Sequence, residues 1–475
     1  DVAGATICPG FNDSHAHLYG VGIALGQLDL IGTSSAAAVV TMAAAAHASL
    51  PDGIWLEGRG WDQNDWEIQK YPTAAQLDAV TGDRPTLLRR VDGHAAWANS
   101  AALRAAGIND QTPDPYGGEI ARDKHGHPTG ILFDNAVDLI RQFIPEVSDE
   151  ELVRLVKLAV RHCWAQGVTS VHEPGVSWRR ARLYRRLAAS GNLQLRLYGM
   201  YDDIPATLDS AFAEGPFFSA DSLLTLRAIK LYADGALGSR GALLLADYSD
   251  KPGHRGLSLT STTHLAGVIL RGAEAGFQIC THAIGDGAVR QILGLYEELV
   301  LPHARWRIEH AQIVAPADIP HFAELGVIAA MQPTHCTSDM DWADERLGQS
   351  RLAEAYVWRS FLDQGVPVCF GTDAPVERIN PLAGLYAART RTHPDGTPIG
   401  GWQPQEILTA AEAFSLYTEG SAYAAFRESD LGQIAPGYLA DVVVLDGNPI
   451  TCTPDELLSM QVLHTVVNGE LVYSR

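Results

Sequence analysis

A (β/α)8 barrel is the fold class this sequence predicts, on three observations. Short apolar runs recur along the chain, each closing on a polar or charged cluster, with helical stretches between them. Strands alternating with helices make a parallel sheet. The His, Lys and Asp residues fall on the closing clusters, and in a barrel chemistry gathers at the C-terminal strand ends. A doubly wound open sheet is the runner-up, but it needs a glycine-rich phosphate turn after an early strand, and none is present.

The opening run, PGFNDSHAHL (9–18), holds His15 and His17. On a strand, residues i and i+2 point to one side, so two imidazoles could grip one ion. Six further units follow: GVTSVHEPG (167–175), LTLRAIKLYADGA (224–236), GFQICTHAIGDGA (276–288), ARWRIEHAQ (304–312), GVIAAMQPTHC (326–336) and VPVCFGTDAPV (366–376). Segments 151–166 and 264–275 read as helices between them. Residues 50–150, rich in Gly, Pro, Asp and Trp, break the rhythm. The last stretch returns to short β-branched strands with Gly-rich turns. The organisation expected is 1–8 as the N-terminal remnant of a β-sandwich, 9–49 as the barrel start, 50–150 as an insertion or lid over the barrel mouth, 151–428 as the rest of the barrel, and 429–475 as the C-terminal part of the sandwich.

Composition narrows the partners. Hydrophobic residues make up 46% of 475, enough for a large core. A formal charge of −21 argues against nucleic acid and anionic membranes, both polyanions. Six scattered cysteines without a CxxC pair read as free thiols in a reducing, cytoplasmic setting. No apolar run reaches membrane-spanning length. A small-molecule substrate and a homodimer are the expected partners.

Collected together, the strand-end residues are His15, His17, Lys230, His282, His310 and Asp373. Four imidazoles and one carboxylate suit zinc or a similar divalent ion. A free ammonium cannot ligate, but a lysine carboxylated by CO2 presents two oxygens and can bridge two ions. Taken singly, each residue has a plainer reading. His282 fits a core histidine, His310 a partner of Glu309, Lys230 a salt-bridged lysine, and Asp373 a turn cap. Jointly, the pattern is that of a metal centre.

The order His-x-His, Lys, His, His, Asp resembles the amidohydrolase superfamily. The flanking text, VDGHAAWANSAAL, IKLYADGALGSRGA, HAIGDGA, RIEHAQ, FGTDAP and GYLADVVVLDGNP, is similar to its YtcJ-like branch, which includes N-substituted formamide deformylases. The resemblance implies a barrel holding one or two divalent ions, with a small β-sandwich built from both chain ends. It implies His15 and His17 on the first metal with Asp373 beside it, and a carboxylated Lys230 bridging to a second metal on His282 and His310. The family begins with several strands before the PGF run, so an incomplete N-terminus is expected here.

The chemistry expected is hydrolysis of a C–N bond, an amide or formamide other than a peptide, through a metal-activated hydroxide. Asp373 is the expected general base and then acid. His94 is the candidate donor to the anionic intermediate. Trp61, Trp97 and Trp342 are expected to wall a hydrophobic or aromatic substrate, together with Trp66 and Trp358. Arg240 either contacts substrate or pairs with an acid such as Asp234. An esterase, lactonase or carbamate hydrolase needs no different residues. A non-catalytic regulatory binding protein would be expected to lose a ligand, and none is lost.

Overall fold

The computed structural model describes residues 4–90, 95–115, 118–145, 147–299 and 304–475. The chain divides into two compact units, one of residues 1–20 and 159–475, the other of residues 21–158.

The first unit is built on eight parallel strands: β1 (Phe11–Asp13), β2 (Val168–Val176), β3 (Arg196–Tyr201), β4 (Leu224–Tyr232), β5 (Gln278–Ala283), β6 (Arg307–His310), β7 (Ile328–Met331) and β8 (Val368–Phe370). They pair in chain order from β1 to β8. Beyond that ladder, the Ser14 amide donates to the Phe370 carbonyl at 3.1 Å, bringing β1 back to β8. The result is a near-closed barrel. β3, from a run that carries no candidate ligand, completes the eight. Two of the intervening helices start on serine caps: Ser177 accepts from the Arg180 amide and Ser261 from the His264 amide, each at 3.3 Å. In helix Thr262–Glu274 the buried residues Leu265, Val268, Ile269 and Gly272 repeat at three and four, which lays one stripe on the barrel.

At the β1–β8 junction the buried Asp13 carboxylate accepts the Thr372 amide at 2.9 Å, the Thr372 hydroxyl at 2.6 Å and the His15 amide at 3.2 Å. The strands come so close that a Cβ on Gly371 would sit 2.5 Å from the His15 nitrogen. Only glycine fits there.

Both chain ends meet in a four-stranded antiparallel sheet, Thr6–Pro9, Val442–Leu445, Val462–Val467 and Glu470–Ser474 in that order. Among the described residues it forms one sheet. Arg196, at the start of β3, pairs with Asp441 beside it.

The second unit is an α/β domain of its own. Its six-stranded sheet runs Leu28–Asp29, Leu56–Trp61, Thr86–Arg90, Ala95–Ala98, Pro128–Asp134, Gly118–Arg122. The first three strands are parallel and the others antiparallel. It begins near residue 21 rather than at 50. The reason is packing: Leu28–Asp29 extends this sheet, and Val39 and Ala43 of helix Ala36–Ser49 enter its core. No described helix is long and apolar enough to cross a membrane.

Candidate metal centre

His15 and His17 follow β1 rather than lying on it, since the strand ends at Asp13. Their rings are 5.7 Å apart, and both face Asp373, with His15 Nε2 3.6 Å and His17 Nε2 3.3 Å from its Oδ1. Lys230, on β4, places Nζ 3.4 Å from His15 Nε2. His310, at the end of β6, has its ring 4.9 Å from that of His15 and 4.5 Å from that of His282 on β5. All six strand-end residues therefore converge. Two of them, His310 and Asp373, sit in left-handed backbone, at φ 74° and 57°. Such conformations are rare outside glycine and concentrate at functional sites.

His335 joins them from helix Pro333–Asp339, its Nε2 3.6 Å from Asp373 Oδ2 and its ring stacked parallel to that of His310. Sequence reasoning missed it as a site residue, although the run MQPTHC placed it just past a strand end. Glu309 was missed as well. It does not pair with His310 but accepts the Nδ1–H of His15, and Arg307 holds it through Nη2 at 3.0 Å. Arg307 also donates to the Ser14 carbonyl at 2.7 Å. The partner of His310 is Gln332, at 2.9 Å.

Electrostatics sorts these groups into metal-ready forms. Burial and the Lys230 charge bring the His15 imidazole down to about 4, against the pull of Glu309. Burial lowers His282 to about 3 and His310 well below its ordinary range. These shifts run toward the neutral ring, the form that ligation requires. Burial pushes the Asp373 carboxyl up, but the neighbouring imidazoles of His17, His15, His310 and His335 outweigh it and hold the group well below the usual carboxylate range. Burial raises Glu309 too, and the Arg307 charge overrides it, bringing the group to about 2. Burial also lowers the Lys230 amine.

The donor set fits a divalent cation. His282 Nε2 and Asp373 Oδ1 are buried without a hydrogen-bond partner, which natural structures avoid unless something else satisfies them. Donor atoms of His15, His17 and Asp373 lie within 4.8 Å of one another, as do those of His310, His335 and Asp373.

The other expected residues lie elsewhere. Trp61 and Trp97 do not wall a substrate. Both are fully buried in the core of the second unit, their indole N–H groups donating to the Leu88 and Thr73 carbonyls at 2.8 and 2.9 Å. Trp66 packs in the same core. Arg240 pairs with Asp250 at 2.6 Å, not with Asp234, whose oxygens accept the Leu243, Ile284 and Gly285 amides. Trp342 is half-buried against Gly238 with Arg346 over its ring, and Trp358 is fully buried. His94 lies outside the described residues. The aromatic ring next to the centre is that of Tyr232, 5.6 Å from the His282 ring.

The chain is 36% identical over 482 residues to the Bacillus subtilis protein named as amidohydrolase YtcJ, covering 99% of this chain and 90% of that one. It is 30% identical over 509 residues to N-substituted formamide deformylase of Arthrobacter pascens, covering 100% and 90%. A metal-dependent hydrolase of Pyrococcus horikoshii superposes with a TM-score of 0.82 at 29% identity, over 96% of this chain and 88% of that one. The sequence profile of the amidohydrolase family matches residues 1–473, and this chain belongs to that family.

Proposed function

We propose that the chain hydrolyses a C–N bond in a small amide or formamide, with zinc at the centre described above. The observation that carries this reading is the convergence of imidazoles on one buried carboxylate, with unpartnered donor atoms aimed into the same space. His15, His17, Asp373, His282 and His310 would hold one or two ions. The buried Lys230 amine, kept toward its neutral form, is suited to add CO2, lose a proton and become a bridging carbamate. A bound divalent ion lowers the pKa of water toward neutrality and polarises a carbonyl. Asp373 then takes the proton of the attacking water on its carboxylate and delivers it to the leaving nitrogen. Tyr232, about one-third exposed beside His282, offers aromatic surface to a hydrophobic N-substituent. Likeness to the formamide deformylase supports the amide over the ester choice. The free cysteines, Cys8, Cys163, Cys280, Cys336, Cys369 and Cys452, suit a cytoplasmic setting.

The test is a substrate panel of N-substituted formamides, acyl amides, esters and lactones, run on zinc-loaded protein. Highest kcat/KM on a formamide or amide supports the reading. Preference for esters or lactones overturns the C–N assignment, and protein that binds no metal overturns the hydrolase itself.

A further inference from the structure

Three buried imidazoles reach the centre, His15, His310 and His335, and the partners of their Nδ1 atoms divide them. His15 Nδ1 faces the Glu309 carboxylate, which can only accept. His310 Nδ1 faces the Oε1 of Gln332 at 2.9 Å, and that amide is oriented by its own Nε2 donating to the Ala330 carbonyl at 3.2 Å. An acceptor at Nδ1 puts the ring proton there and leaves Nε2 with a lone pair. These two rings present a lone pair to the centre.

His335 is arranged the other way. Its Nδ1 faces the Nε2 of Gln312, a donor, at 3.2 Å. Nδ1 accepts, which leaves Nε2 as the ring position that carries a proton. That Nε2 is buried and has no hydrogen-bond partner. Asp373 Oδ2 lies 3.6 Å from it, too far for a hydrogen bond. An N–H cannot ligate a cation, but it can donate to an oxygen that enters the same space.

We propose that His335 is the hydrogen-bond donor of the centre rather than one of its ligands, and that its Nε2–H meets the carbonyl oxygen of the substrate as negative charge grows there. The proposal rests on the metal-dependent hydrolase reading and adds a substrate-contacting residue to it. Three features make the donor ready in advance: parallel stacking on His310 at 6.1 Å, the Gln312 bond, and a backbone bond from the His335 amide to the Gln332 carbonyl at 3.1 Å. Donors already in place stabilise developing charge without a reorganisation cost. Gln332 links the two roles. Its side chain sets the His310 tautomer, and its backbone leads into the helix that carries His335.

Zinc-loaded full-length protein tests this with three variants, His335→Leu, His335→Gln and His310→Leu. Metal content after dialysis is the first readout. His335→Leu and His335→Gln should keep the wild-type stoichiometry, while His310→Leu loses metal. The second is the ring tautomer from long-range 1H–15N correlation on 15N-histidine-labelled protein, with His335 assigned by its loss in His335→Gln. The expected pattern is a protonated Nε2 and a bare Nδ1. The third is turnover of the best N-substituted formamide. His335→Leu should lose roughly 100-fold or more in kcat with little change in KM, as when one oxyanion donor is removed, and His335→Gln, which keeps an N–H, should recover part of the loss. Metal loss in His335→Leu matching that in His310→Leu, a metal-bound Nε2, or unimpaired turnover by His335→Leu each overturns the proposal while leaving the hydrolase reading standing. Wild-type protein that binds no metal overturns both.

Discussion

Asp13 and Thr372 are 359 positions apart, yet two hydrogen bonds, at 2.9 and 2.6 Å, join the Asp13 carboxylate to the Thr372 amide and hydroxyl. They lock the first barrel strand to the last at the point where His15 and Asp373 emerge. Thr372→Val keeps the shape, removes the hydroxyl donor, and leaves one Asp13 oxygen without its partner in a buried place. A loss of about 1–3 kcal/mol is expected, read by urea unfolding with intrinsic fluorescence.

Glu309 accepts the Nδ1–H of His15 and is itself held by Arg307. Carboxylates in this position set the tautomer and raise the basicity of a ligating ring. Glu309→Gln should weaken zinc affinity by roughly 10–100-fold, measured by competition with a chromophoric chelator. Unchanged affinity would show that the His15 orientation does not depend on the carboxylate.

Asp373→Asn keeps the size of the side chain but removes its basicity. Turnover should fall by roughly 10²–10⁴-fold, the range for loss of a general base, with the thermal transition retained. Wild-type turnover in this variant would assign proton transfer to another group.

Burial pushes the Asp339 carboxyl up to about 6, against the stabilising hydrogen bond from the Tyr356 hydroxyl. A folded-state value above the ordinary 3.8 means the folded protein binds more protons than the unfolded chain between about pH 4 and 6. The contribution of this group to stability is therefore present at low pH and lost as pH rises through 6. Asp339→Asn lacks that loss. In urea titrations, the variant should gain stability relative to wild type between pH 4 and pH 7, and a difference independent of pH would remove the argument.

Trp61 is fully buried in the second unit, against Trp66 and Trp97. Trp61→Ala should cost that unit about 3–5 kcal/mol. Hydrogen exchange should show the loss of protection within residues 21–158.

The sequence showed the barrel through its strand ends, because an apolar run closing on a ligand-type cluster is a local signal. GFQICTHAIGDGA and VPVCFGTDAPV carry that signal in a dozen residues. β3 has no ligand at its end, so its sequence carries no such signal. His335 sits one helical turn past β7, so a rule that looks only at strand ends stops short of it. The paired tryptophans misled for a different reason: an aromatic in a Gly-rich segment looks the same whether it lines a mouth or fills a core. Only the sheet formed by Leu28–Asp29 and its neighbours shows that residues 21–158 build an interior of their own. The Ala-rich helix Ala36–Ser49 reads equally well as a barrel helix, and its allegiance is decided by Val39 and Ala43.

The left-handed backbone at His310 and Asp373 limits how this centre can change. Outside glycine, that region is visited chiefly by asparagine, aspartate and histidine, and two of those three are the residues a hard or borderline cation asks for. Chain conformation and coordination chemistry thus select from the same short alphabet at both positions. Cysteine or glutamate, reasonable ligands elsewhere, would pay a conformational penalty here before touching an ion. Attempts to reprogramme the centre for a softer metal should therefore start at His17 or His282, neither of which is held at positive φ.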